Sequence, residues 1–380
     1  MIIEPGFQRV ADQFFQQVSE QPYGGASLCI YHNGHPVIDI WAGESSPGNL
    51  WNKDTKCVVF SATKGLLTLL VMRAIERGEI DVNERASTYW PEFGCNGKED
   101  ITVKMILRHR AGLNTTSRSM SHQEILDVIP VEEEFAKMAP IYPPDSGFVY
   151  HALSIGHLLG KILFNVTGKR IGQLLQEEIA NPLDLSTWIG VPNNLKLDIA
   201  ELRSDQPPQR PQTVKDTKEY WQDHAMGYGG GMSWIIGSKN GGWNDPLVYQ
   251  SELAGAGGVS NARSLAKIYS AAVTETEGIK LLKDSTILES ISHPNPGNNI
   301  FDEPQPHPIH SLGFIVANHQ HCPAISNTTF GHNGLGGQQG FGDLDSKIGF
   351  GYVTNWVPVV EDGMLRHRQL TATLIECLNS

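Results

Sequence analysis

The chain has 380 residues, 40% of them hydrophobic, enough to bury a large core over two or three structural units and to exclude a disordered protein. Its 41 acidic residues outweigh 29 basic ones, giving a formal net charge of −12 with no long run of either sign. A nucleic-acid partner would need a basic face, and none is visible. The five cysteines (Cys29, Cys57, Cys95, Cys322 and Cys377) are odd in number, widely spaced and free of a C-x-x-C, so reduced thiols are expected rather than a disulfide framework. The first residues lack a basic region followed by an apolar one, and no later window is long and apolar enough to cross a membrane; a cytoplasmic protein with no membrane partner is the expectation.

In chain order, Phe7, Val10, Phe14, Phe15 and Val18 repeat at helical spacing and predict an amphipathic helix from about Gly6 to Gln21. Residues 27–31 and 36–41 flank Asn33-Gly34, the signal of a tight β-hairpin. Cys57-Val-Val-Phe is a short β-like run, and it leads to Ser61 at the mouth of a helix of about four turns that is apolar on nearly every face. That pattern is expected of a buried central helix.

Residues 101–111 predict another helix, ended by Gly112. The segments 122–138, 151–166 and 170–181 are helical in pattern, whereas 203–224, with Pro207, Pro208 and Pro211, is expected to be a long surface loop. A second irregular stretch covers 293–310. Between these two, Gly255-Ala-Gly-Gly-Val-Ser is a glycine turn entering a helix at about Ala262. Strands return at 312–317, 329–332, 339–343 and 348–354, and 366–378 closes the chain as a helix. The expected organisation is α/β (α+β). An antiparallel sheet flanked by helices comes from both chain ends, 1–78 and 250–380, and a mostly helical domain, 79–249, is inserted between them.

Ser61 and Lys64 are three residues apart, so on a helix their side chains share a face and can meet. A lysine held among Leu66, Leu67 and Leu70 loses solvation, which lowers its pKa and lets the neutral amine act as a base toward the hydroxyl. The helix N-terminus adds N–H groups facing a developing oxyanion. By itself the S-x-x-K pattern is common, and an N-cap serine followed by a snorkelling lysine explains it equally. Tyr150, at a loop-to-helix junction, is the next candidate; beside an ammonium its pKa would fall and it would share a proton with Ser61. His332 lies in the glycine-rich Gly331-His-Asn-Gly-Leu-Gly-Gly337, on an expected strand edge where a substrate carbonyl can approach backbone N–H groups. There it would orient or protonate a leaving group.

Ser61-Ala-Thr-Lys64, Tyr150-His151-Ala152 and His332-Asn333-Gly334, in this order and spacing, resemble the three motifs of the serine β-lactamase and penicillin-binding-protein superfamily. The likeness is greatest to its family VIII carboxylesterases. Trp41-Ala-Gly, Leu107-Arg-His-Arg-Ala-Gly-Leu113, Asn181-Pro-Leu-Asp-Leu-Ser-Thr187, Ala256-Gly-Gly-Val-Ser260 and Gly349-Phe-Gly-Tyr-Val-Thr-Asn355 are similar too, so the resemblance spans about residues 25 to 356. It implies Ser61 as acylated nucleophile, Lys64 and Tyr150 as its activators, and His332 in the place of the third-motif lysine. It also implies a substrate-binding edge of Asn333, Gly334 and Leu335, with the N–H groups of Ser61 and Leu335 as the oxyanion hole. The implied substrate is a small carboxylic ester. Ala152 stands where penicillin-recognising members usually carry asparagine, and His332 removes a cation available to a substrate carboxylate, so both changes favour neutral esters over β-lactams. β-Lactamase, D-aminopeptidase or acyltransferase chemistry would use the same acyl-enzyme, and an inactive binding protein of this fold is the non-enzymatic alternative.

No G-x-S-x-G elbow, P-loop, complete G-x-G-x-x-G or H-E-x-x-H is present. His307, His310, His319, His321 and Cys322 carry side chains a metal can use, but without a standard ligand spacing, and they read as solvated loop residues; no metal or other cofactor is expected. Trp221, Trp234 and Trp243 either line an acyl pocket or pack the domain edge.

Overall fold

The computed structural model describes residues 1–205, 212–233, 235–295, 298–302, 307–317, 324–358 and 363–380. Its first elements follow the sequence pattern. Strand β1 (Ile2–Ile3) precedes helix α1 (Gln8–Glu20), which buries Val10, Ala11, Phe14 and Val18 along one stripe. Strands β2 (Gly25–His32) and β3 (His35–Ser46) form the expected hairpin. At its tip Asn33 and Gly34 have φ of 52° and 82°, the left-handed pair that a two-residue turn requires. Strand β4 (Cys57–Val58) then leads through a single tight turn, Phe60–Ala62, into helix α2 (Thr63–Glu76).

Helix α3 (Val103–Leu107) is shorter than its pattern, because His109 takes a φ of 58° and turns the chain out of the helix well before Gly112. The stretch 122–138 divides into α4 (His122–Asp127) and α5 (Ile129–Lys137) at Val128, whose φ is 65°. Pro130 accounts for the break, since in a continuous helix it has no N–H to give and its ring crowds the preceding turn. Helix α6 (Ser154–Thr167) ends on the left-handed Gly168. The expected 203–224 loop is interrupted by helix α7 (Lys218–Ala225), which Thr217 caps by accepting the Tyr220 N–H at 3.2 Å. Pro207, Pro208 and Pro211 lie outside the described residues.

Strand β5 (Val259–Ser260) pairs with β4, and helix α8 (Ala262–Val273) follows. The chain then adds β6 (Ile315–Val316), β7 (Thr329–Gly334), β8 (Gln338–Asp343), β9 (Ile348–Thr354) and helix α9 (Leu365–Leu378). The main sheet runs β1-β3-β2-β9-β8-β7-β6, antiparallel at every step of that path, so β2 near the start lies directly beside β9 near the end.

One sheet face is covered by α1 and α9, whose Val10, Phe14, Leu370 and Leu374 pack with Leu28, Ile30, Ile38, Ile40, Phe341 and Phe350. The other face carries α8. Its approach depends on Gly349 and Gly351, where a Cβ would stand 2.3 Å from the Ala266 carbonyl oxygen and 2.2 Å from that of Ala262. Burying apolar side chains on both faces, at roughly 25 cal/mol per Å² removed from water, holds the layers together. Helix α2, buried over most of its circumference from Thr63 to Met72, lies in the core cluster shared with α6 and α8.

Candidate active site

The site is built where α2 begins. Phe60 has a φ of 46°, a conformation that costs a bulky residue on the order of 1–3 kcal/mol and persists only when its surroundings over-determine it. They do so here. The Phe60 ring is buried and meets Trp243 edge-on at 5.3 Å, and Gly258 clamps the turn from both sides. The Gly258 carbonyl accepts the Val59 N–H at 2.9 Å, and its N–H donates to Thr63 Oγ1 at 2.9 Å. Ser61, held in this turn, remains half-buried rather than closed off.

Lys64 is fully buried, and its Nζ lies 3.0 Å from Ser61 Oγ and 2.7 Å from the Gly255 carbonyl oxygen. Burial drives the amine well below the ordinary lysine range, and no acidic side chain acts on it in the other direction. Its place in the first turn of α2, at the positive end of the helix dipole, disfavours an ammonium further. The Tyr150 ring covers the same amine, with Nζ 4.7 Å from the ring centroid.

The Tyr150 hydroxyl shares a hydrogen bond with Ser61. Its pKa moves up rather than down: burial raises it, and the bond to Ser61 offsets only part of that. The depressed phenol expected beside an ammonium is therefore not found, because the cost of burying a phenolate outweighs what favours it. The phenol keeps its proton.

His332 comes from β7. Strand β6 pairs only with Phe330 and Gly331, so beyond Gly331 that side of β7 is an open edge facing the Ser61 turn. Gly334 makes the approach close: a Cβ there would stand 2.2 Å from the Val59 carbonyl oxygen and 3.2 Å from the Ala62 nitrogen. Asn333 is half-buried, and Leu335, just past the strand, is 43% exposed at the mouth of this edge. The buried His332 ring donates from Nδ1 to the Asn333 carbonyl oxygen at 2.7 Å, which fixes Nε2 as a lone-pair acceptor with no partner. Burial, Lys64 and His310 all push its pKa well down. A neutral imidazole in this tautomer accepts hydrogen bonds at the site, and it can protonate a leaving group only after taking up a proton.

Three groups that the motifs did not single out also converge here. Gly255 supplies the carbonyl held by Lys64, and a Cβ on Gly156 of α6 would stand 2.3 Å from the Gly255 nitrogen. His310, expected to be a solvated loop residue, is 2% exposed, and its ring stacks on Tyr150 at 5.5 Å with 26° between the planes. His109 is fully buried against both, 5.0 Å from Tyr150 and 4.4 Å from His310 between ring centroids. The signal for Gly255 was the glycine run. His109 lies in the Leu107–Leu113 stretch, whose resemblance to the family marked the segment but not the role of its histidine, and His310 comes from the irregular 293–310 stretch with no local pattern to mark it.

His307 packs on Phe148 at 5.5 Å, whereas His319, His321 and Cys322 lie outside the described residues. Among the described residues no group of three or more His, Cys, Asp or Glu is arranged to hold a metal ion, no helix is long and apolar enough to cross a membrane, and four cysteines are free. Of the tryptophans, Trp243 abuts Phe60, and Trp221 packs with Tyr142, Phe301 and Val149, of which only Val149 adjoins Tyr150 in sequence; Trp234 is outside the described residues.

Comparison with known proteins places the chain in a family. The family model described as beta-lactamase matches residues 10–374. The chain is 31% identical over 363 residues to the esterase/beta-lactamase LipL of Mycobacterium tuberculosis (strain ATCC 25618 / H37Rv), covering 93% of this chain and 82% of that protein. Among solved structures, EstA from Arthrobacter nitroguajacolicus Rue61a superposes with a TM-score of 0.85 at 27% identity, over 100% of this chain and 98% of its own. A family VIII carboxylesterase superposes with a TM-score of 0.85 at 26% identity, over 99% of both chains. The chain belongs to the beta-lactamase family, whose fold it carries from end to end.

Proposed function

We propose that this protein is a serine hydrolase that cleaves small, neutral carboxylic esters through an acyl-enzyme on Ser61. The observation that carries the reading is a fully buried amine, pushed toward its neutral form by that burial, 3.0 Å from a half-exposed serine hydroxyl. Ser61 Oγ attacks the ester carbonyl while Lys64 Nζ takes its proton. The resulting ammonium is stabilised by the Gly255 carbonyl and the face of Tyr150. The negative oxygen is received by the N–H groups of Ser61 and Leu335. As the C–O bond breaks, the Tyr150 hydroxyl gives its proton to the leaving alkoxide and regains one from Lys64. Water then attacks the acyl carbonyl, losing its proton through the same pair and releasing the acid and free Ser61. His332 Nε2 takes part as an acceptor, for a hydroxyl of the substrate or for that water.

Two observations favour esters over β-lactams. Ala152 is buried beside Tyr150 with no amide to offer, and the third motif presents a neutral imidazole where a cation would meet a carboxylate. The relatives named esterase point the same way. Residues 1–78 with 250–380 then form one domain and 79–249 an inserted helical one, with Trp221 and Trp243 as walls of the acyl side. A reducing compartment such as the cytoplasm fits the free cysteines.

The test is intact-protein mass spectrometry after treatment with a fluorophosphonate, together with turnover of a panel of p-nitrophenyl esters. A single adduct mapping to Ser61, lost with all turnover in Ser61→Ala, is expected. Ester turnover that persists in a clean Ser61→Ala preparation would sink the reading.

A further inference from the structure

The stretch Leu107–Leu113 stands out in the sequence yet supplies no atom to the reaction just described. It runs alongside the loop that delivers Tyr150, and the two are laced together. Ile141 N–H donates to the Gly112 carbonyl at 2.8 Å, Asp145 N–H to the Arg110 carbonyl at 2.9 Å, and Val149 N–H to the His109 carbonyl at 3.1 Å. Arg110 also pairs with the Asp145 carboxylate. The final rung is different in kind, because the His151 N–H donates at 3.1 Å to the His109 ring, at Nδ1.

His109 therefore holds the backbone amides on both sides of Tyr150, one with its carbonyl and one with its side chain. Its left-handed φ of 58° lets carbonyl and ring reach the same strand of loop. The ring is fully buried, tilted against Tyr150, and met edge-on by His310, which stacks on the same phenol. Accepting at Nδ1 requires the neutral tautomer with its proton on Nε2. Burial and the neighbouring His310, His151, Lys64 and His332 all work against a charged ring, in keeping with that tautomer.

We propose that His109 is the positioning residue for Tyr150: by bracketing its two flanking amides it holds the phenol where the hydroxyl meets Ser61 and the ring covers Lys64. The inference rests on the acyl-enzyme reading above. A buried, strained, non-glycine residue kept at this one position is otherwise unexplained, since its carbonyl alone could be supplied by any residue and its φ most easily by glycine.

The experiment is a double-mutant cycle read as the rate of fluorophosphonate labelling at Ser61 and as kcat and KM for a p-nitrophenyl ester, with folding checked by Tm. His109→Gly accepts the backbone conformation and removes only the ring; it is expected to lower labelling and kcat by roughly 30- to 100-fold with KM within about threefold. In a Tyr150→Phe background the same change should lower labelling by less than about threefold, because the hydroxyl it positions is gone. His109→Asn, whose Oδ1 can accept the His151 amide and which tolerates a left-handed φ, should restore labelling to within about fivefold of the native rate.

Equal losses in the two backgrounds, or native labelling by folded His109→Gly, would overturn the proposal. If the glycine variant does not fold, a folded His109→Asn that labels as slowly as Tyr150→Phe overturns it as well. Failure of the unmodified enzyme to label at Ser61 would instead remove the hydrolase reading itself.

Discussion

Two lysines, Lys64 and Lys98, have no exposed surface, and both amines are pushed toward the neutral form by burial, Lys64 the further because its surroundings are the more enclosed. Their settings differ in the sign of the local field and in what they touch. Lys64 sits in the first turn of α2, where the helix dipole opposes a cation, and one of its two partners is a hydroxyl that can give up a proton. Lys98 faces the carboxyl end of α5, bonded to the carbonyls of Met138 and, at 2.9 Å, Cys95, with Cys95 and Glu99 both favouring its charge. Desolvation is then only part of what would make Lys64 a base. A lysine becomes one where the surrounding dipoles also reject its charge and a protic partner is within reach, whereas carbonyl partners at a helix C-terminus turn the same side chain into a brace.

The largest effect that sharpens this contrast comes from deleting each amine. Lys64→Met should lower kcat/KM by about 10³-fold or more, in the upper range for loss of a positioned base, with Tm little changed. Full activity in that variant would erase the distinction between the two sites.

A smaller effect is the acid limb of the pH profile. A base with a lowered pKa is competent above that pKa and protonated below it, so kcat/KM should fall by about tenfold per pH unit as pH drops through the Lys64 value. That value lies below the ordinary lysine range. The limb should keep its midpoint in Lys98→Met, and a displaced midpoint there would mean that the two amines are coupled.

The smallest change in turnover is expected for Lys98→Met itself, within about twofold, but with stability reduced by roughly 1–3 kcal/mol because two buried carbonyls lose their donor. Chemical denaturation measures this directly. Loss of activity without loss of stability would reverse the assignment.

The parts of the molecule legible in the sequence are those decided by neighbours in the chain. Asn33-Gly34 specified the hairpin, the stripe of Phe14 and Val18 specified α1, and the three-residue spacing of Ser61 and Lys64 put both on one helical face. The early end of α3 at His109 was not legible, because a left-handed φ at a non-glycine residue is imposed by tertiary contacts, whereas the break at Val128 was signalled by Pro130 and was missed. Helix α7 escaped notice because proline-rich flanks outweigh a short polar segment whose main local signal is the Thr217 cap. The direction of the Tyr150 shift depends on how thoroughly a lysine from another element is dried, and the gathering of His109, His310 and His332 joins residues about 200 positions apart in the chain.

The pairing of β2 with β9 also governs how the protein is made. A ribosome releases Gly25–His32 long before Ile348–Thr354 exists, so during synthesis the hairpin carries a bare edge strand in which seven of eight residues are destined for burial. Ser61 and Lys64 are likewise finished early, but β7 must arrive before the strand edge carrying His332 stands opposite them. Catalytic competence is therefore one of the last properties the growing chain acquires. Refolding from denaturant should be correspondingly slow and prone to aggregation through that exposed edge.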